Sequence, residues 1–183
     1  KLFGFHIVRS YRESYGMFAC SAIMFNNESI RRAPTFVTRK ITCGAAQIKL
    51  GLLDKIILGN LEARRDWTFS GDVVEAIYLM MKMQEPKDYV ISSDVNYSVR
   101  DFLQNTFEYA GLGDDGKYVE VNSKYFRPSE VECLLGDSRL IRKELGWQPK
   151  VKFEELVKMM YDSDYKLYKR IIESGIKKWE LSV

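Results

Sequence analysis

Among the 183 residues, those able to do chemistry fall into a few short groups. The single histidine, His6, sits inside a stretch of helical spacing. A Ser-His-Asp arrangement would have to use it as a base from a helix. The ordinary reading is a packed or partly exposed helical side chain. One His and three widely spaced cysteines, Cys20, Cys43 and Cys133, with no C-x-x-C, point away from a zinc site or a disulfide framework. The cysteines read as small apolar fillers in a reduced chain.

Three basic clusters remain: Arg31-Arg32, Arg64-Arg65-Asp66-Trp67, and Phe126-Arg127-Pro128 with Glu130 nearby. An Arg held by a carboxylate makes a good bidentate phosphate ligand, and Asp66 is expected to hold its neighbour in this way. Pro128 would stiffen Arg127, and Glu130 could take a sugar hydroxyl. Each cluster alone reads as solvated surface charge. Three of them at expected loops favour an anionic ligand without naming it.

The elements that must position these groups alternate. Leu2, Phe5, Val8, Tyr11 and Tyr15 share one helical face, stopped at Gly16. Met17–Phe25 is almost unbroken apolar sequence, as in a parallel strand buried on both faces. The polar loop 26–35 follows, then helical spacing through Phe36, Ile41, Ala45 and Ile48, and a short strand at "KIILG". "SGDVVEAIYLMMKMQ" reads as a helix capped by Ser70 with Asp72 in its first turn. "DYVIS" reads as a strand, and "SVRDFLQNTFEYAG" as a helix with Ser98 and Asp101 at capping-box spacing. "KYVEV" alternates like a half-exposed strand. A loop containing Pro128 leads to a short helix ended by Gly146, then a long helix from about Phe153 to Ser174 bearing Leu156, Met160, Leu167 and Ile171, and a frayed tail. Alternating strands and helices predict an α/β protein with parallel strands. No G-x-G-x-x-G loop follows any strand, so no dinucleotide pyrophosphate cradle is present in this sequence.

Composition is that of a globular chain: 46% apolar, 29% charged, with 11 Tyr and 10 Phe to bury. A net charge of +3 gives no case for nucleic acid or an anionic membrane as partner. No run reaches the roughly 18 apolar residues of a membrane span, and no signal peptide is legible.

In order, "YRESYGMFACSAIMFNNESIRR", "FVTRKI", "LGNLEARRDW", "YFRPSEVECLLGD" and "KELGWQPKV" resemble the C-terminal half of the GDP-mannose 4,6-dehydratase family, in the extended short-chain dehydrogenase/reductase superfamily. The likeness runs from residue 1 to about 174. It implies the end of a Rossmann-type doubly wound sheet interleaved with a smaller α/β substrate-binding domain. The Rossmann part would be 1–25 and 70–92, the substrate domain 26–69 and 93–174, and 175–183 a tail.

The family carries a Tyr-x-x-x-Lys pair on a helix. By that register Lys1 is the catalytic Lys, also hydrogen-bonded to the nicotinamide ribose. The Tyr, one helical turn earlier, would lie outside this chain with the glycine-rich loop. Such a Lys lowers the pKa of its Tyr and makes it a usable base. The implied reaction uses NADP to take a hydride from C4 of mannose, lose water across C5 and C6, and return the hydride to C6. The product is GDP-4-keto-6-deoxymannose, on the route to GDP-fucose. Asn26 matches an Asn at the nucleotide-sugar site, and Arg32 an Arg on the cofactor. Val37 and Lys40 border the substrate. Arg65 and Arg127 match arginines on the GDP pyrophosphate, and Glu130 an acid near the guanosine ribose.

The family's "FNHESPRRG" is "FNNESIRRA" here. Asn27 stands where a cofactor-contacting His is usual, Ile30 replaces Pro and Ala33 replaces Gly, which leaves the loop with less to hold it. The resemblance implies a cytoplasmic lyase, a homo-oligomer (dimer or tetramer) when completed by the missing N-terminal half, and inactivity of the chain alone. A non-catalytic nucleotide-sugar-binding fragment and another epimerase or reductase of the superfamily are the alternatives.

Overall fold

The computed structural model describes residues 1–113, 115–126 and 129–175; Arg127, Pro128 and the tail beyond 175 lie outside the described residues. In chain order the elements are α1 (Leu2–Tyr15), β1 (Ala22–Met24), β2 (Asn26–Glu28), α2 (Val37–Lys49), β3 (Ile56–Leu58), β4 (Arg64–Arg65) and β5 (Trp67–Phe69). Then come α3 (Ser70–Met80), β6 (Tyr89–Ile91), β7 (Tyr97–Ser98), α4 (Val99–Ala110), β8 (Val119–Val121), α5 (Arg139–Leu145) and α6 (Phe153–Glu173).

The chain divides into two units, each assembled from three stretches: 1–27, 66–96 and 134–151, and 28–65, 97–133 and 152–183. In the first, β1 pairs in parallel with β6, Ala22 opposite Tyr89 and Met24 opposite Ile91. Val73, Ala76 and Met80 of α3 pack on Tyr89, Ile91, Ile141 and Trp147. The indole Nε1 of Trp147 donates to the Asp72 carbonyl (2.9 Å), and the Asp72 carboxylate accepts from Lys150 N and Val151 N at 3.0 Å each. Those bonds and the two apolar side chains place 134–151 in this unit, where the sequence reading puts it with the substrate domain. Asp72 thus does more than face the N-terminus of α3. That helix begins after Phe69 without a side-chain cap, so Ser70 is its first residue and not its cap.

The expected buried strand at 17–25 is three residues long, and Phe18, Ile23 and Met24 are each about two-fifths exposed. The apolar pattern is strand only over Ala22–Met24, which pairs in parallel with β6 and leaves Ile23 and Met24 partly exposed. α1 forms as spaced and stops at Gly16 in the left-handed region (φ 63°), yet buries no residue, and Leu2 and Phe3 are 73% and 78% exposed. Its tie to the unit is polar. Arg12 donates to both Asp88 carboxylate oxygens (2.8 Å each) and to the Ala19 carbonyl (3.0 Å), and Asp88 also accepts from Ser21 N (2.7 Å).

In the second unit, α2, α4 and α6 pack together around Ile41, Ala45, Phe102, Leu103, Phe107, Leu156 and Met160, all nearly inaccessible. Tyr97 stacks flat on Phe153 (3.7 Å, 8°), and Phe102 meets the same ring edge-on. β3 pairs in parallel with β8, and β4 antiparallel with β7. α4 carries the expected capping box: Ser98 Oγ accepts from Asp101 N (3.0 Å) and Asp101 accepts from Ser98 N (2.7 Å). α2 lies so close to β3 that a Cβ on Gly44 would sit 2.1 Å from Ile56 Cγ2. Phe36 and Leu167, expected on buried faces, are almost half exposed. Among the described residues no helix is long and apolar enough to cross a membrane.

Candidate functional site

The loop after β2 is shaped by short-range hydrogen bonds. Arg32 N donates to the Ser29 carbonyl (3.0 Å), and Arg31 N to Ser29 Oγ (3.1 Å). Arg31 projects into solvent, whereas Arg32 is half-buried, its guanidinium 3.6 Å above the Phe36 ring. Arg32 Nε lies 3.4 Å from Glu28 Oε2. That is an ion pair without hydrogen-bond alignment, so this buried N–H has no hydrogen-bond partner among the described residues. Glu28 is itself buried and takes the Thr38 hydroxyl (2.7 Å). Burial pushes its carboxyl above the ordinary range, against the opposing pulls of Thr38 and Arg32.

Val37 opens α2, and Lys40 stands one turn on, its ammonium 4.6 Å over the Tyr125 ring. Burial lowers the Lys40 pKa, and among the described residues it has no carboxylate partner.

Arg65 donates to Glu130 (2.6 Å) and to the carbonyls of Val131 (2.7 Å) and Arg64 (2.8 Å). The sequence reading gave the holding role to Asp66. Neighbours in extended backbone point to opposite sides, and Asp66 instead takes Ser93 N (2.9 Å), Ser93 Oγ (2.7 Å) and Gly136 N (3.2 Å) inside the first unit. A carboxylate 65 residues away does what the adjacent one was expected to do.

Of the remaining candidates, Lys1 precedes α1 and is exposed. Asn26 N donates to the Asp66 carbonyl (3.1 Å). Asn27 reaches Met24 Sδ (3.4 Å) with its amide nitrogen, while its buried Oδ1 has no hydrogen-bond partner among the described residues. These three belong to the first unit; Arg32, Val37, Lys40, Arg65 and Glu130 belong to the second. Arg127 lies outside the described residues. Each within its own unit, the Asn27 acceptor and the Arg32 donor are the kind of buried polar atom that a polar ligand would satisfy. Cys43 is buried, its thiol pushed up to about 11 first by burial, whereas Cys133 is exposed and is no filler.

The sequence reading missed Arg39 and Asp164, which form a buried pair beneath the Arg32 loop. A signal was available. Asp164 falls on the apolar stripe of α6 that runs through Leu156, Val157, Met160 and Tyr161, and a carboxylate there needs a cation.

The family model described as GDP-mannose 4,6 dehydratase matches residues 1–160. The chain is 52% identical over 169 residues to GDP-mannose 4,6 dehydratase 2 of Arabidopsis thaliana, covering 91% of this chain and 45% of the relative. It is 42% identical over 190 residues to GDP-mannose 4,6-dehydratase of Vibrio cholerae, covering 90% and 51%. The chain spans about half the length of the curated relatives it matches. Among solved structures, RMD from Pseudomonas aeruginosa complexed with NADPH superposes with a TM-score of 0.80 at 16% identity, over 91% of this chain and 54% of that one. A dTDP-glucose 4,6-dehydratase from Bacillus anthracis in complex with NAD gives 0.74 at 17%, over 94% and 52%. At such identities these structures speak for the fold alone, and the fold is α/β with parallel strands.

Proposed function

This chain belongs to the GDP-mannose 4,6 dehydratase family, and from that membership we propose that it is the C-terminal part of an NADP-dependent lyase converting GDP-mannose to GDP-4-keto-6-deoxymannose and water. The observation that carries this is the match over residues 1–160 together with 52% identity to a named dehydratase. When bound, NADP supplies the acceptor and donor of a hydride.

The chain's own residues bind and orient. Lys1 holds the nicotinamide ribose and, by its charge, eases proton loss from a Tyr on the preceding helical turn. Arg32 and Asn27 hold the cofactor; the unpartnered Arg32 N–H and Asn27 Oδ1 suit that role. Asn27 offers an amide where the family pattern has His, so it can hydrogen-bond but not carry charge. Asn26 meets the nucleotide sugar, and Val37 with Lys40 lines the substrate. Arg65 and Arg127 take the GDP pyrophosphate, with Arg65 pre-set by its two backbone carbonyls and Glu130. Glu130 meets the guanosine ribose, which requires it to share or release its bond to Arg65. The stretches 1–25 and 70–92 finish a Rossmann domain, and the exposed Leu2, Phe3, Ile23 and Met24 fit burial against an N-terminal half. The completed enzyme is cytoplasmic and a homo-oligomer, dimer or tetramer.

The test is to fuse the N-terminal half of the Arabidopsis relative ahead of Lys1 and assay GDP-mannose with NADP for the 4-keto-6-deoxy product. Product that disappears with Lys1→Ala supports the reading. A folded fusion that binds NADP but forms no product overturns it. The chain without that half should be inactive, and should bind a hydrophobic dye through α1 and β1, with the dye signal lost in the fusion.

A further inference from the structure

Arg39 and Asp164 touch none of the side chains assigned to ligand, yet they hold the main chain of the segment that carries Arg32. The Arg39 guanidinium divides its donors between two structures. Its Nε donates to both Asp164 oxygens (2.7 and 2.8 Å), and Nη2 lies 2.5 Å from Oδ1. Its Nη1 donates to the main-chain carbonyls of Ile30 and Arg32, the latter at 3.0 Å. Thr42 adds a hydroxyl to Asp164 (2.6 Å). Asp164 is fully buried and Arg39 9% exposed.

A buried ion pair is weak evidence of stabilisation, because desolvation of both charges offsets their attraction. What it supplies here is geometry. The loop has no apolar anchor of its own, since Ile30 is 42% exposed and Arg31 is in solvent. Two inward-turned carbonyls on one rigid guanidinium therefore set where the backbone of residue 32 lies, while Phe36 and Glu28 set its side chain. A lysine is a poor substitute, because its three donors sit on one nitrogen, whereas Arg39 reaches Asp164 from Nε and Nη2 and the two carbonyls from Nη1 across a planar fork.

We propose that Arg39, locked by Asp164, is a positioning residue that holds the Arg32 loop in the conformation competent for the anionic part of the cofactor. This role rests on the reading of Arg32 as a cofactor ligand.

The experiment uses hydrogen exchange of amides 30–33 on the chain as it stands, and NADP kinetics in the fusion described above, for Arg39→Lys, Asp164→Asn and Arg32→Ala. Arg39→Lys and Asp164→Asn should each speed loop exchange and raise KM for NADP about tenfold, the worth of one charge-assisted bond, with kcat changed less than about twofold. Protection in α4, which shares the core with α2 and α6, reports any global loss and should fall far less than that of the loop. Arg32→Ala should raise KM without loosening the loop. Unchanged loop exchange in both pair variants overturns the positioning role, as does rescue by Arg39→Lys, which would mean that charge alone matters. Faster loop exchange with no KM change in Arg32→Ala instead refutes the cofactor reading, and with it the functional half of the proposal.

Discussion

Asp88→Asn should release α1 from the first unit. α1 buries no side chain, so its hold depends on the polar clamp at its C-terminal end. In that clamp Arg12 makes two 2.8 Å bonds to Asp88, and Ser21 N a third at 2.7 Å. Both side chains are 18% exposed, so solvent screens the pair only in part. An amide in place of the carboxylate keeps one acceptor for Ser21 but loses the bidentate, charge-assisted geometry, a cost of about 2 kcal/mol. At 1.4 kcal/mol per factor of ten, opening of α1 should become roughly 30-fold more frequent.

The assay is hydrogen exchange followed by fragment mass spectrometry, comparing α1 with α2, α4 and α6, which belong to the other unit and should not change. A pH arm adds the sign. Arg12's hydrogen bond, helped by Ser21 and opposed by burial, holds Asp88 below the ordinary carboxylate value. A depressed folded pKa gives stability that is present above the unfolded value and lost as pH falls through the folded one. Protection of α1 in the unaltered chain should therefore fall below about pH 4, and in Asp88→Asn it should be low and flat across that range. Equal α1 exchange in both proteins at neutral pH would refute the reasoning and mean that the helix is held by something other than this clamp.

Glu28→Gln carries the opposite pH signature. Burial raises the Glu28 carboxyl, so its contribution is present below its ordinary value and lost as pH rises through the elevated one. The variant should match or exceed the parent in urea unfolding at pH 7, with no difference at about pH 4; a loss at pH 7 would show that the Arg32 contact outweighs desolvation. Gly44→Ala should destabilise the second unit by about 2 kcal/mol and lower its Tm by about 8–16 °C, because the new methyl meets Ile56 at 2.1 Å. Calorimetry decides this. Trp147→Phe should cost the first unit about 1 kcal/mol by deleting the indole bond to the Asp72 carbonyl, which keeps its helical partner, and should be read as faster exchange in α3.

Much of the fold was legible because local chemistry was unopposed. The α4 capping box, the glycine stops at Gly16, Gly111 and Gly146, and the three-and-four spacing of α2 and α6 need only short-range hydrogen bonds and a face to bury. The basic clusters, too, were visible as residue types, and the ordered blocks of sequence carried the family. Partners were not legible. Arg65 is held by Glu130 and not by the adjacent Asp66, since strand alternation turns adjacent side chains apart. Ser70 lost its capping role because Phe69 already ends the strand in extended geometry. The strand expected from 17 to 25 shrank to three residues, because apolar sequence specifies a preference for burial but cannot supply the neighbours that satisfy it.

By itself, then, the sequence determined which segments are helix or strand, which residues carry charge into the loops, and which family they come from. Tertiary structure alone decided which charges meet. Arg39 finds Asp164 across 125 residues, because α2 and α6 pack side by side and a buried ion must find its counter-ion in whatever element the packing brings.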